Sequence, residues 1–287
     1  MIELFPQPSP NAIAEQLTGR GYLSWSALRT YQSCPLRYFF RYVEGLPEET
    51  ISSSLVFGGA IHSAIELHFN ELLAGNSAPA VESLLEVFWQ SWRDRYEEAT
   101  VTMVKGEDAR SIAELAGRVL KAFSASDVAK PNGRILGVEE ELRGEIVAGV
   151  PDLLARVDLI VETDHELVIT DFKTARSRWS SSHATSQAEQ LLLYSELAGE
   201  LAPGKRLRLE FAVLTKAKFP TVEQLRVPFD EGQMRRTREL THRVWRAIEQ
   251  QNFYPTPSAM VCSGCPYREP CREWGTGNAA STSKCGQ

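Results

Sequence analysis

Apolar positions recur at helical spacing through the first half of the chain and change to short strand-like runs in the second. Over residues 22–46, Leu28, Tyr31, Tyr38 and Phe39 mark one helical face. Ser24 or Ser26 can cap it, and Pro35 divides it into two helices. A second helix is predicted from Gly58–Gly59 to Gly75, with His62 just inside its start. A third carries Val81, Leu84, Leu85, Phe88, Trp92 and Tyr96 as an aromatic-rich stripe, which reads as a packing face. Residues 108–123 add a fourth, so the stretch from about 50 to 130 is expected to be wholly helical. Residues 1–20, with three prolines and little periodicity, read as an irregular arm.

After Pro131–Gly133 the period shortens. Residues 134–147, 153–163, 166–175 and 207–216 read as strands separated by polar turns, and a helix over 186–201 interrupts them. A last helix over 231–251 leads to "CSGCPYREPC", and the small polar tail 275–287 reads as disordered. The pattern is that of an α/β core inside a helical wrapping.

Composition narrows the class further. With 43% hydrophobic and 24% charged residues, the chain is ordinary globular material. No basic-then-apolar leader is present and no run approaches a membrane span, so a cytoplasmic protein with reduced thiols and no membrane partner is expected. A net charge of −6 and pI near 5.5 exclude a protein that coats nucleic acid by bulk positive charge, while leaving room for a local basic groove.

The densest chemistry lies in "ARVDLIVETDHELVITDFKTA". Two apolar strands each carry an aspartate, Asp158 and Asp171. Lys173 shares a strand face with Asp171 because side chains alternate. Two carboxylates with a fixed cation suit a hard divalent ion and phosphodiester hydrolysis. Taken alone, Asp-x-Lys reads more readily as a surface hairpin, because the tripeptide is common. His62 with Glu66 on one helix, and Gln190 with Tyr194 one turn apart on another, are individually as ambiguous.

Their order is more specific. Gly-Gly-x-x-His on a helix, Arg-x-Asp on a strand, Asp-x-Lys on the next and Gln-x-x-x-Tyr on a helix resembles the RecB-type branch of the PD-(D/E)XK nuclease superfamily. The Cys-Pro and aromatic-basic run of 23–43 is similar to that family's N-terminal helix. The resemblance runs from about Leu23 to Cys271 and implies a restriction-endonuclease-like α/β fold, a mixed central sheet flanked by helices. It implies that His62, Asp158, Asp171 and the Phe172 carbonyl bind Mg²⁺ or Mn²⁺. Lys173 would be the catalytic lysine, with Gln190 and Tyr194 lining the site. Glu66 lies outside that motif and is expected to face solvent. The implied organisation is one nuclease domain over 21–274, with a helical insertion 76–130, a catalytic core 131–230 and a helix-plus-cysteine segment 231–274.

Cys262, Cys265 and Cys271, spaced C-x2-C-x5-C, leave a metal one ligand short. Cys285 is the near candidate and Cys34 the distant one; spacing by itself leans to Zn²⁺. The resemblance leans the other way. AddB-type helicase–nucleases and the cysteine-bearing nucleases of CRISPR adaptation have one cysteine before the core and three after, holding a [4Fe–4S] cluster. It therefore implies Cys34 as the fourth ligand, a structural cluster joining the N- and C-terminal segments, and Cys285 as a free thiol. Arg176, Arg178 and Trp179 follow the Asp-x-Lys strand and are candidates for holding phosphates and stacking a base. Arg29, Arg37 and Arg41, Lys216 and Lys218, and five arginines on the last helix are further basic groups, the last set equally a solvated face. The resulting expectation is a metal-dependent deoxyribonuclease, an exonuclease acting on ends or single strands in recombination, repair or CRISPR adaptation. No phosphate-binding glycine loop is present, so the chain is expected either to act alone or to borrow a motor; a helicase or CRISPR adaptation proteins are the candidate partners that the resemblance implies. The alternative is a non-catalytic DNA-binding adaptor of the same fold.

Overall fold

A computed structural model describes residues 8–104 and 106–274. The chain opens with α1 (Pro10–Thr18), where an irregular arm was expected. Ser9 caps it by accepting from the Ala12 amide, and Pro10 stands at the first helical position, where its fixed φ favours the helix. The prolines that suggested irregularity therefore include a helix start. Strand β1 (Leu23–Ser24) leads into α2 (Trp25–Ser33), capped by Ser24. Cys34 is the extended pivot before α3 (Pro35–Tyr38), which runs on into a π-helical turn at Phe39–Val43.

The stretch expected to be wholly helical contains two short strands. β2 (Thr50–Ser52) precedes α4 (Ser53–Leu73), and β3 (Thr100–Thr102) separates α5 (Val81–Glu98) from α6 (Ala109–Ala125); β2 and β3 pair in parallel. Ser52 caps α4 through the Leu55 amide. The helix thus starts well before Gly58, and His62 sits inside it rather than at its start. Gly58 has a different effect: a β-carbon there would lie 3.1 Å from Thr174 Oγ1, closer than ordinary contact, so a side chain would press the helix against the sheet.

β4 (Arg134–Gly144), β5 (Leu153–Glu162) and β6 (Glu166–Ala175) form a meander. After α7 (Ser181–Ser186) and α8 (Glu189–Ala198), β7 (Arg206–Thr215) pairs in parallel with β6. β8 (Val222–Val227), which sequence periodicity did not predict, pairs antiparallel on β7. With β1 parallel and β4 antiparallel to β5, the result is a mixed six-stranded sheet. α9 (Glu231–Glu249) and the short helices α10 (Ala259–Ser263) and α11 (Arg268–Glu273) follow.

Helices cover both faces. α8 and α9 bury Leu191, Leu192 and Trp245 in one core with Leu167, Ile169 and Phe211 of the sheet. α4, α5 and α6 bury Phe69, Phe88 and Phe123 in the other, with Val168, Phe172 and Leu214. Alternation along β6 and β7 feeds both cores, which is why these strands read as nearly continuous apolar runs. A third, small cluster of Leu36, Phe40 and Tyr267 joins the segment around α3 to the segment before α11. There Tyr267 donates to the Leu46 carbonyl and Tyr31 to that of Asn252. Residues 275–287, expected to be disordered, lie outside the described region. Among the described residues no helix is long and apolar enough to cross a membrane.

Candidate active site

The site forms where β5 and β6 part. They pair from Glu162–Leu167 to Leu159–Thr170; Asp158 and Asp171 are the next residue on each strand beyond the last pair. Past that point β5 pairs with β1 instead, at Leu153 and Leu154. The fork leaves backbone groups that the sheet no longer satisfies, and Asp158 takes one of them: its Oδ2 accepts from the Phe172 amide at 2.6 Å. Asp171 and Lys173, two apart on β6, pair at 2.6 Å.

Helix α4 adds His62, whose Nδ1 lies 3.6 Å from Asp158 Oδ2, and whose ring also hydrogen-bonds the Phe172 backbone. Strand β4 adds a residue the motif reading missed. One ligand atom each of His62, Glu139 and Asp158 lie within 4.8 Å of one another. Glu139 takes a φ of 49°, a left-handed conformation that costs a non-glycine residue about 1 kcal/mol or more. In sequence it is one of three consecutive glutamates, and nothing in that run distinguishes it from its neighbours. Glu66, expected to face solvent, instead lines the same cleft of about 760 Å³, together with Arg156 and Lys173.

The electrostatics are those of crowded, buried acids. Burial and then the charge of Asp171 push the Asp158 carboxyl well above the usual range. Burial and then Asp158 push Glu139 up to about 7. Burial holds the His62 imidazole below its ordinary value despite Asp171, so it is neutral near pH 7 and keeps a lone pair for a metal. Burial lowers the Lys173 pKa, but the charge and hydrogen bond of the adjacent Asp171, with the more distant Asp158, outweigh it, and its pKa rises. The lysine is therefore a cation held in place.

α8 fixes that cation from the far side. Lys173 donates to Gln190 Oε1 at 3.2 Å, and Gln190 Nε2 lies 3.3 Å from the Tyr194 hydroxyl. Tyr194 is buried, which pushes its phenol up to about 12 and keeps it protonated. The helical spacing of Gln190 and Tyr194 thus becomes a relay from the core to Lys173.

The proposed DNA contacts separate. Arg178 is ion-paired with Glu223, and Trp179 packs inward against Phe211 and His183, with ring centroids 5.3 and 4.6 Å away. Trp179 is thus a core-edge residue and its ring is not presented as a stacking platform. Arg176 remains exposed beside Lys216. Three of the five arginines on α9 pair with Glu196, Glu239 and Glu249, and Arg29, Arg37 and Arg41 pair with Glu189 and Glu48.

Away from the cleft, Cys34, Cys265 and Cys271 pack around the Leu36–Phe40–Tyr267 cluster, and Cys262 follows on α10. Burial pushes the Cys271 thiol up, and Cys34, Cys265 and Cys262 add to the shift, so all four lie within electrostatic reach. None of the four forms a disulfide. Cys285 lies outside the described residues.

The model of the PD-(D/E)XK nuclease superfamily matches residues 22–272, and the chain belongs to that family. The fold agrees: a mixed sheet between helices, split at the strands that carry the two aspartates. A candidate exonuclease from Eubacterium rectale has a similar structure, with a TM-score of 0.57 over 95% of this chain and 94% of that one at 14% identity, a likeness of fold. The structure of SSO0001 is weakly similar, with a TM-score of 0.32 at 18% identity over 84% of this chain and 92% of the other. No curated protein matches the chain.

Proposed function

We propose that this protein is a Mg²⁺- or Mn²⁺-dependent deoxyribonuclease that hydrolyses phosphodiester bonds at strand ends or in single strands. The observation that carries this reading is the convergence of His62, Asp158, Asp171 and Lys173 at one strand fork. The donor set fits a hard divalent cation. It offers carboxylate oxygens and a neutral imidazole, and the acids are held above their usual range first by burial and then by their neighbouring carboxylates, both of which a bound cation would offset. His62, Asp158, Asp171 and the Phe172 carbonyl would hold the ion, with Glu139 as a further ligand. When bound, such an ion screens the phosphate and lowers the pKa of a water.

The chain's own groups do the rest. Lys173 sits at the end of a Tyr194–Gln190 relay, which fixes its ammonium for the attacking water or the developing phosphate charge. Burial of the fork limits water around these charges and strengthens each interaction. The exonuclease mode is in keeping with the fold of the Eubacterium rectale protein.

The four cysteines form a second, separate centre. Their convergence where the segment around α3 meets that around α10 and α11 suits a structural [4Fe–4S] cluster ligated by Cys34, Cys262, Cys265 and Cys271. Recombination, repair or CRISPR adaptation, with a helicase or adaptation proteins as partners, is the setting that the sequence resemblance supports.

Purified protein with Mn²⁺ should degrade linear DNA, and Lys173→Ala or Asp171→Ala should each reduce the rate by more than about 100-fold while retaining the wild-type circular dichroism. Full activity in both variants would overturn the assignment. DNA binding without metal and without cleavage of any substrate would instead mark an adaptor.

A further inference from the structure

A second cavity, of about 540 Å³, adjoins the metal cleft and shares Ser54 and Lys216 with it. Arg118 from α6, Arg176 from the end of β6, and Lys216 and Lys218 from the β7–β8 turn converge on it; Glu107 is the one carboxylate in its lining. That carboxylate is already engaged, accepting from the Ser53 hydroxyl and the Val104 amide. Arg176 has no ion-pair partner among the described residues, and Lys216 donates to the Ser54 hydroxyl rather than to an acid. The nearest acid to Arg118 is Glu114, at 4.0 Å on its own helix. Glu107 and Glu114 offset only part of this positive charge, and burial beside Arg176 already disfavours the charged form of Lys216, so an anion in the cavity would be stabilised. The chain as a whole carries net charge −6, so this is a local exception that general basicity does not explain.

The cavity is rigidly tied to the candidate active site. The Lys216 amide donates to the Ala175 carbonyl at 2.7 Å, which fixes it to the strand that carries Asp171 and Lys173. Ser53 and Ser54 are the first residues of α4, the helix that presents His62. An anion in the cavity would therefore stand at a set position relative to the metal cleft.

An internal phosphodiester carries one negative charge, whereas a terminal monoester carries about 1.5 to 2 at neutral pH and exposes three acceptor oxygens. Arg176 and Lys218, which have no ion-pair partner among the described residues, with Arg118 and Lys216 beside them, fit the higher charge. Resting on the nuclease reading above, we propose that this cavity binds the terminal phosphate of a DNA strand and thereby places the adjoining nucleotides in the metal cleft. The site would make digestion depend on the chemistry of the end and favour exonucleolytic over internal cleavage.

Labelled oligonucleotides ending in a 5′-phosphate, a 3′-phosphate or hydroxyls test this in two ways. Binding is measured by fluorescence anisotropy in EDTA, and cleavage with Mn²⁺ at limiting substrate. One phosphorylated end should bind and be cut at least about tenfold better than the hydroxyl end, and which end does so gives the polarity. In the Arg118→Gln/Lys218→Gln double variant, and separately in Arg176→Gln, that ratio should fall toward unity; melting temperature reports whether each variant folds. Equal treatment of all ends by the wild type, or a preference that survives in folded variants, would overturn the proposal. A binding preference without any cleavage would keep the phosphate site and remove the nuclease reading. Cleavage without an end preference would do the reverse.

Discussion

Glu139 is the residue on which the site's pH behaviour turns. Its carboxyl titrates near 7 in the fold against an ordinary 4.5, because burial and Asp158 both oppose its charge. A raised acid stabilises the fold while it is protonated, and that contribution is lost as pH rises from about 4.5 through 7. Asp158 shifts in the same direction. Metal-free protein is therefore expected to melt lower at pH 8 than at pH 5.5, by about 2 °C for each 1 kcal/mol left after solvent screening. Glu139→Gln should flatten the profile, and Mn²⁺ should reverse it for the wild type. A melting temperature that rises toward pH 8 in EDTA would contradict this account. No sequence signal marks Glu139, because its importance lies in a left-handed backbone and in facing Asp158 across β4 and β5. By contrast, Asp158, Asp171 and Lys173 were legible because short-range strand alternation decides where they point.

At the scale of elements, the two glycines of α4 do different things. A side chain at Gly58 would press on Thr174 of β6, whereas a β-carbon at Gly59 meets nothing within 4 Å. Gly59→Ala should thus stabilise the protein by about 0.5–1 kcal/mol through helix propensity. Gly58→Val should cost about 1–3 kcal/mol by overpacking and, by tilting the helix, weaken Mn²⁺ binding through His62. Thermal melts and calorimetric titration with Mn²⁺ check both, and equal effects at the two positions would remove the close-approach argument. Periodicity identified α4, α5, α6 and most of the sheet, since those elements bury continuous apolar faces. It missed β2, β3 and β8, which are short or half-exposed and are held by register with a partner rather than by their own pattern. It also misplaced the start of α4, since Ser52 closes the cap before the apolar run becomes regular.

Across the described residues, the segment after α2 and the segment before α11 meet at the Leu36–Phe40–Tyr267 cluster, with the four thiols beside it. A cross-link between Cys34 and the C-terminal three closes a loop that contains nearly all of the sheet, and such closures are worth about 4 kcal/mol or more in the chain-entropy view. Anaerobically purified protein should be brown and contain iron and sulfide. Cys34→Ala should remove both and lower the melting temperature, while Cys285→Ala should leave the colour unchanged. Stoichiometric zinc without iron would rule out the iron–sulfur reading. Local spacing of the cysteines could not choose between Cys34 and Cys285, because proximity through the fold is independent of separation along the chain.

The sequence by itself determined the apolar faces, the strands bearing the two aspartates and the ordered series from His62 to Tyr194, since each depends on neighbours a few residues away. Tertiary structure alone decided which other groups join them. It brought Glu139 and Glu66 to the cleft, turned Trp179 inward, paired Arg178 with Glu223 and gathered Arg118, Arg176, Lys216 and Lys218 around one cavity. Those outcomes follow from where β5 and β6 separate and from how closely α4 approaches the sheet, and both are set by packing between segments far apart in the chain.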